Sequence, residues 1–264
     1  MPLGLGYFRL IKPVPATGWK YWQFCDWGAG GPGEKVVIAP TASEIDEWSW
    51  KYAQDRKDDD ACVYHRGVDS VSGFVLAGGK SSRMGQDKAF MQLGGRTLLA
   101  YSLQLAISAT GSAQIVGSAE KFAAFGQVVE DIYPGQGPLA GIHAALAGAR
   151  TELSLIIAVD MPFLRPELLS YLVAQARRTT AMVVVPAAGE RLQPLCAVYR
   201  RAFAEVAERS LRARENKIDR LFSQVETRVI EQNELERNGF TEEMFRNLNT
   251  EQDWQEAKLK LSAR

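Results

Sequence analysis

The stretch Leu76 to Phe90, LAGGKSSRMGQDKAF, most constrains what this chain can fold into. A short apolar run, Val71 to Leu76, breaks off in Gly78-Gly79, and a polar loop follows with Lys80, Arg83 and Lys88. Helical spacing resumes near Thr97. A strand running into a glycine-rich, cationic loop ahead of a helix is suited to holding phosphates. Glycines let backbone N–H groups approach an anion, the helix end adds its dipole, and the cations supply charge. Two familiar phosphate loops are excluded by spacing. A Walker loop ending in Gly79-Lys80-Ser81 needs glycine at position 74, which is Phe74, and neither Gly78 nor Gly79 begins a G-x-G-x-x-G fingerprint.

Composition narrows the partners. Lysine plus arginine equal aspartate plus glutamate at 31 each, so no charge excess points to nucleic acid or a membrane surface. No apolar run reaches the ~20 residues of a membrane span, and no signal-peptide pattern opens the chain. The three cysteines, Cys25, Cys62 and Cys196, are scattered without metal-ligand spacing, which points to a reducing, cytoplasmic setting. With only two histidines, His65 and His143, the chemistry is expected to run on metal and phosphate charge.

The pattern changes near residue 70. Residues 1–69 hold Trp19, Trp22, Trp27, Trp48 and Trp50, a Gly/Pro-rich stretch, and a charge run at 54–60 that reads as a solvated linker. This N-terminal extension has no assigned role. Three readings stand open: a docking appendage, a mostly disordered tail, or upstream sequence from a mis-called start at a chain whose recognisable domain begins at Val71.

From 70 to 264 strands and helices alternate. Strands are expected at Val71–Leu76, Ala113–Val116, Gln127–Glu130, Leu153–Val159, Met182–Pro186, Leu195–Tyr199 and Val225–Ile230. Helices are expected at Thr97–Ser108, Glu120–Phe125, Leu139–Ala149, Pro166–Arg178, from Arg200, and after Thr250. The alternation implies an α/β fold with a Rossmann-like, doubly wound, mostly parallel sheet, whose ligands sit beyond the carboxyl ends of the strands.

Further motifs carry polar chemistry. The apolar strand Leu153–Val159 ends in Asp160-Met161-Pro162, which suits either a hard metal ligand or a cap for the next helix. Asp131 precedes a glycine-rich segment, Tyr133 to Gly141, that opens a helix; its carboxylate could accept hydrogen bonds from a base or a ribose. His143 reads as a helix-face histidine. In Phe245-Arg246-Asn247-Leu248-Asn249-Thr250, the two asparagines alternate as on a strand, and Asn249-Thr250 could also cap the last helix.

Taken in order, these motifs resemble the molybdenum cofactor guanylyltransferases, members of the MobA-like nucleotidyltransferase family, over roughly residues 71–260. The loop resembles L-A-G-G-x-S-x-R-M-G-x-D-K, the Asp131 segment D-x-x-x-G-x-G-P-L-x-G-I, and the last motif F-x-N-x-N-T. The resemblance implies a nucleotide-diphospho-sugar transferase-like fold and a nucleotide site of Leu76, Ala77, Gly78, Gly79, Lys88, Asp131 and Asp160. It implies Mg2+ on Asp160 as cofactor, Arg83, Lys88 and Asp160 as catalytic groups, and Asn247 and Asn249 as contacts to the second substrate. It further implies GTP and molybdenum-molybdopterin as substrates, with molybdenum-insertion proteins and molybdoenzyme-specific chaperones as partners. Gly189 to Leu195 resembles the connection that shapes the second-substrate pocket, and Arg214 or Lys217 of the basic stretch 200–220 is a candidate contact to that anionic substrate.

The expected reaction is transfer of GMP from GTP to the terminal phosphate of the molybdopterin, with release of pyrophosphate. The alternatives are a molybdopterin cytidylyltransferase, another small-molecule nucleotidyltransferase, or a non-catalytic nucleotide-binding adaptor. The double glycine and the paired asparagines favour guanylyl transfer, since the rivals usually read L-A-A-G. One departure is visible: some relatives carry an asparagine after the second strand, where this chain has Gly117-Ser118-Ala119-Glu120.

Overall fold

In a computed structural model, which describes residues 7–10, 21–26, 33–38, 71–78 and 87–262, the chain divides into two units, 1–68 and 69–264. The first contains β1 (Tyr7–Leu10), β2 (Tyr21–Asp26) and β3 (Gly33–Ile38), which pair in chain order as an antiparallel sheet.

The second unit is built on an eight-stranded sheet. Its middle strand is β4 (Val71–Leu76), flanked in parallel by β7 (Ala113–Val116) on one side and β9 (Leu153–Ala158) on the other. Beyond β7 lies the short parallel strand β8 (Val128–Val129). Beyond β9 comes the antiparallel strand β12 (Cys196–Arg200), then β10 (Val183–Ala188), with β13 (Thr227–Ile230) parallel to β10. Strand β11 (Arg191–Leu192) turns back on β10 as a small hairpin. Two strands of a separate hairpin, β5 (Gln92–Leu93) and β6 (Arg96–Thr97), follow the glycine-rich loop region.

Helices cover both faces, which explains the nearly continuous apolar strands. Side chains alternate across a strand, so Val71 and Val75 of β4 pack on one side and Phe74 and Leu76 on the other. The first side carries α1 (Leu98–Thr110), α4 (Pro166–Arg177) and the last helix of the chain, Glu251–Ser262. The second carries α3 (Pro138–Gly148), α5 (Phe203–Arg212) and the single turn α6 (Ile218–Phe222), around the buried rings of Tyr199, Phe203 and Phe222. Two short helices, α2 (Ala119–Phe122) and α7 (Gln232–Arg237), lie in the connections, and Glu251–Ser262 is α8.

Local chemistry sets the ends of these elements. Thr97 caps α1 by accepting the Ala100 amide at 3.2 Å, and Gly111, at φ 79°, ends it in the left-handed conformation. Pro138 opens α3, where its missing N–H costs nothing. The parallel register aligns Leu76 with Val116 and with Ala158, so β4, β7 and β9 all terminate at one edge. That edge is where the strand order turns about β4, the place where open α/β sheets bind ligands.

Candidate active site

Three distant segments meet at this edge. A 3-10 turn, Lys88–Phe90, begins at Asp87, whose Oδ1 accepts the Ala89 amide at 3.2 Å. The Lys121 ammonium holds the other oxygen of Asp87 at 3.0 Å. The turn therefore leaves Lys88 directed across the end of β9. There its Nζ lies 3.5 Å from Asp160 Oδ2 and donates to Asn249 Oδ1 at 3.1 Å. From the third segment, the Leu248 amide donates to the Asp160 carbonyl at 2.9 Å.

The Asp160 side chain is one-fifth exposed and stands one residue, Val159, beyond the fully buried strand β9. Burial pushes its carboxyl above the usual carboxylate range, and the charge and hydrogen bond of Lys88 pull it back. It does not cap α4, whose N-cap is Arg165. Of the two readings of this residue, capping is thereby removed. Among the described residues no group of three or more acidic, histidine or cysteine side chains gathers as a metal cluster. A single partly exposed carboxylate still suits magnesium, which keeps several waters and takes its other oxygens from substrate phosphates.

Leu76 and Ala77 are buried at the end of β4, and the Ala77 and Gly78 amides donate to the Val116 carbonyl at 2.9 and 3.1 Å. Gly78 itself is exposed. Gly79 and Arg83 lie outside the described residues. Asp131 follows β8, and burial raises its carboxyl above the ordinary value. A β-carbon on Gly141 of α3 would stand 3.8 Å from Asp131 Oδ1 and 3.0 Å from Leu76 Cδ2, so the glycine lets helix, strand end and carboxylate come together. At the departure noted after the second strand, a β-carbon on Gly117 would lie 2.9 Å from a Phe122 ring carbon and 3.4 Å from the Gly78 nitrogen. That close approach requires glycine.

The loop before α3 is tied down from the far side. Tyr133 donates to Glu208 Oε1 at 2.9 Å, and Arg212 reaches both Glu208 at 2.7 Å and the Tyr133 hydroxyl at 3.3 Å. His143 is buried with its ring edge against Tyr133, and burial lowers its pKa.

The asparagine segment corrects one expectation. Residues 246–249 are irregular rather than a strand, so Asn247 and Asn249 do not share a face by strand alternation. Asn249 is exposed toward Lys88, whereas Asn247 Oδ1 is buried without a hydrogen-bond partner. Thr250 is the cap of α8. Two further regions shape the surroundings. Beyond the turn at Gly189, at φ 61°, Arg191 and Gln193 line a groove of about 330 Å3 together with Glu242, Phe245 and Arg246. Arg214, Lys217 and Arg220 line another of about 250 Å3.

Sequence reasoning missed Asp87, Lys121 and Asp253. Asp87 was visible as the acid just before Lys88 in the loop motif, and Asp253 in the T-x-x-D spacing from Thr250 that marks a capping box.

Comparison with known proteins bears on this geometry. The chain matches the MobA-like NTP transferase domain over residues 73–229. A probable molybdenum cofactor guanylyltransferase of Pelotomaculum thermopropionicum is 36% identical over 191 residues, covering 72% of this chain and 92% of the relative. Its counterpart in Carboxydothermus hydrogenoformans is 35% identical over 182 residues, covering 69% and 91%. The crystal structure of molybdopterin-guanine dinucleotide biosynthesis protein A from Archaeoglobus fulgidus superposes with a TM-score of 0.66 at 26% identity, covering 74% of this chain and all of that one.

Proposed function

The chain belongs to the MobA-like NTP transferase family, and from that premise we propose that it transfers GMP from GTP to the terminal phosphate of molybdenum-bound molybdopterin. An oxygen of the acceptor phosphate attacks the α-phosphorus of GTP. The bond from that phosphorus to the bridging oxygen of the β-phosphate breaks, and pyrophosphate leaves with the electron pair. The acceptor phosphate has a second pKa near ~6, so at neutral pH it is largely ionised and needs no strong base.

The difficulty is electrostatic, because one polyanion must approach another. Lys88 carries this reading: one ammonium reaches the carboxylate beyond β9 and an amide of the C-terminal segment, which supports a place for it between donor and acceptor phosphates. It would neutralise charge that develops on the transferring phosphoryl group. Asp160 would hold Mg2+, which supplies further charge neutralisation when bound. With the Ala77 and Gly78 amides committed to the Val116 carbonyl, the glycine-rich loop would approach the phosphates past the exposed Gly78, with Gly79 as a further contact and Arg83 as a second cation. Asp131 would accept hydrogen bonds from guanine or ribose, and Asn247 and Asn249 would contact the pterin side.

The reducing cytoplasm is the proposed setting. No helix among the described residues is long and apolar enough to cross a membrane. A competition assay offering GTP, CTP, ATP and UTP with molybdenum-molybdopterin tests the proposal. GTP consumption with pyrophosphate release is expected. A clear CTP preference overturns guanylyl transfer, and no pyrophosphate with any nucleotide overturns the enzyme reading.

A further inference from the structure

We propose that Asp253 is a positioning residue for the acceptor side of the site, acting through the backbone of residues 246–250. Its carboxylate is the hub of that segment. Oδ1 accepts from Arg246 Nη2 at 2.9 Å, and Oδ2 accepts from the Asn249 amide at 3.1 Å, the Thr250 amide at 2.9 Å and the Thr250 hydroxyl at 2.8 Å. Arg246 is gripped in turn by Glu256 at 2.6 Å and Glu243 at 3.7 Å. The chain is thus wrapped around one carboxylate. The two contacts that this wrapping presents outward are the Leu248 amide on the Asp160 carbonyl and Asn249 on Lys88. An ordinary cap would need only the reciprocal Thr250–Asp253 pair, in which the Asp253 amide donates to Thr250 Oγ1 at 3.1 Å. The bonds to the Asn249 amide and to Arg246 go beyond it, and they shape the segment that touches the proposed catalytic pair.

The identity of the acceptor rests on the function proposed above; the geometry does not. The test compares Asp253→Ala, which removes every bond to the carboxylate, with Thr250→Ala, which removes the hydroxyl's cap and leaves Asp253 its amide and Arg246 partners. Each is assayed with whichever nucleotide the wild type prefers. Misplacing a contact by ~1 Å can cost ~100-fold, so Asp253→Ala is expected to lower kcat by ~10- to 100-fold. GTP affinity, titrated without acceptor, should fall by less than about threefold, because Lys88 loses its Asn249 partner but keeps Asp160. Thr250→Ala should lower the melting temperature comparably yet change kcat by less than about threefold, and Asp253→Glu should restore part of the rate. Amide exchange at Leu248 should accelerate in Asp253→Ala alone, a readout independent of any turnover. Unchanged kcat and exchange in Asp253→Ala, or equal losses in the two variants that track their melting temperatures, overturn the proposal. A wild-type preference for CTP would instead remove the guanylyl reading and leave these ratios readable.

Discussion

Lys88 and Asn249, 161 positions apart in the chain, meet at 3.1 Å, and the same ammonium stands 3.5 Å from Asp160. One cation therefore ties the turn after the glycine-rich loop to both the end of β9 and the C-terminal segment.

Lys88→Ala and Asp160→Asn are each expected to lower turnover by ~10²–10³, the usual cost of losing one preorganised electrostatic group at a transferring centre. Circular dichroism and melting should show an intact fold. Wild-type turnover in both variants would remove their assigned roles.

The same pair sets a pH dependence. Burial raises the Asp160 carboxyl and Lys88 lowers it. Removing the cation takes away the largest downward pull and leaves the burial opposed only by a backbone hydrogen bond, so the acid limb of the residual activity of Lys88→Ala should move to higher pH. The measurement is residual kcat against pH; an unmoved or lower limb contradicts the coupling.

Asp131 is expected to trade stability for binding. Its folded pKa is raised by burial, so its contribution favours the fold below the unfolded pKa of ~3.9 and is lost as pH rises through the folded value. At neutral pH the buried charge is a cost. Asp131→Asn should therefore melt higher at pH 7 while binding nucleotide ~10-fold more weakly, the scale of a lost charged hydrogen bond. Calorimetric titration and melting curves check both halves.

Asp253 has the opposite sign. Arg246 first, then Thr250, holds its carboxyl well below the usual carboxylate range. Its stabilisation is present above the unfolded pKa of ~3.9 and fades as pH falls toward the folded value. Asp253→Asn should be less stable than wild type at pH 7, with the gap narrowing at pH 3 in urea melts.

Gly73 is a packing position inside β4. A β-carbon there would lie 2.6 Å from Thr110 Oγ1 and 2.7 Å from the Ser112 carbonyl oxygen, which also accepts the Gly73 amide at 3.2 Å. Since the second obstacle is backbone, Gly73→Ala should cost ~1–3 kcal/mol, read as a lower melting temperature.

The strands were legible because a sheet buried on both faces writes apolar runs such as residues 155–158 directly into the chain. The helix bounds of α1, α3 and α4 were legible from Thr97, Pro138 and Pro166 within a residue or two. Short elements were missed. β5 and β6 turn on Gly94-Gly95, at φ 61° and 80°, and two-residue strands carry too little periodicity to read. α6 and α7 are too short to show a helical stripe. Asn247 and Asn249 looked like a strand because alternation is all that a few residues can display. The actual bend comes from Asp253, which lies beyond the motif.

By itself the sequence determined the alternating α/β pattern, the glycine-rich cationic loop, and the residue types that could serve phosphate chemistry. Those properties are local: periodicity, turn chemistry and charge need only near neighbours. Which of these residues act together was decided by the tertiary structure alone. The parallel register ends β4, β7 and β9 at one edge, and there the capped turn at Asp87 and the Leu248–Asp160 bond bring Lys88 and Asn249 to Asp160. The raised pKa of Asp160 likewise depends on what packs around the end of β9, because desolvation is set by neighbours in space and not by neighbours in the chain.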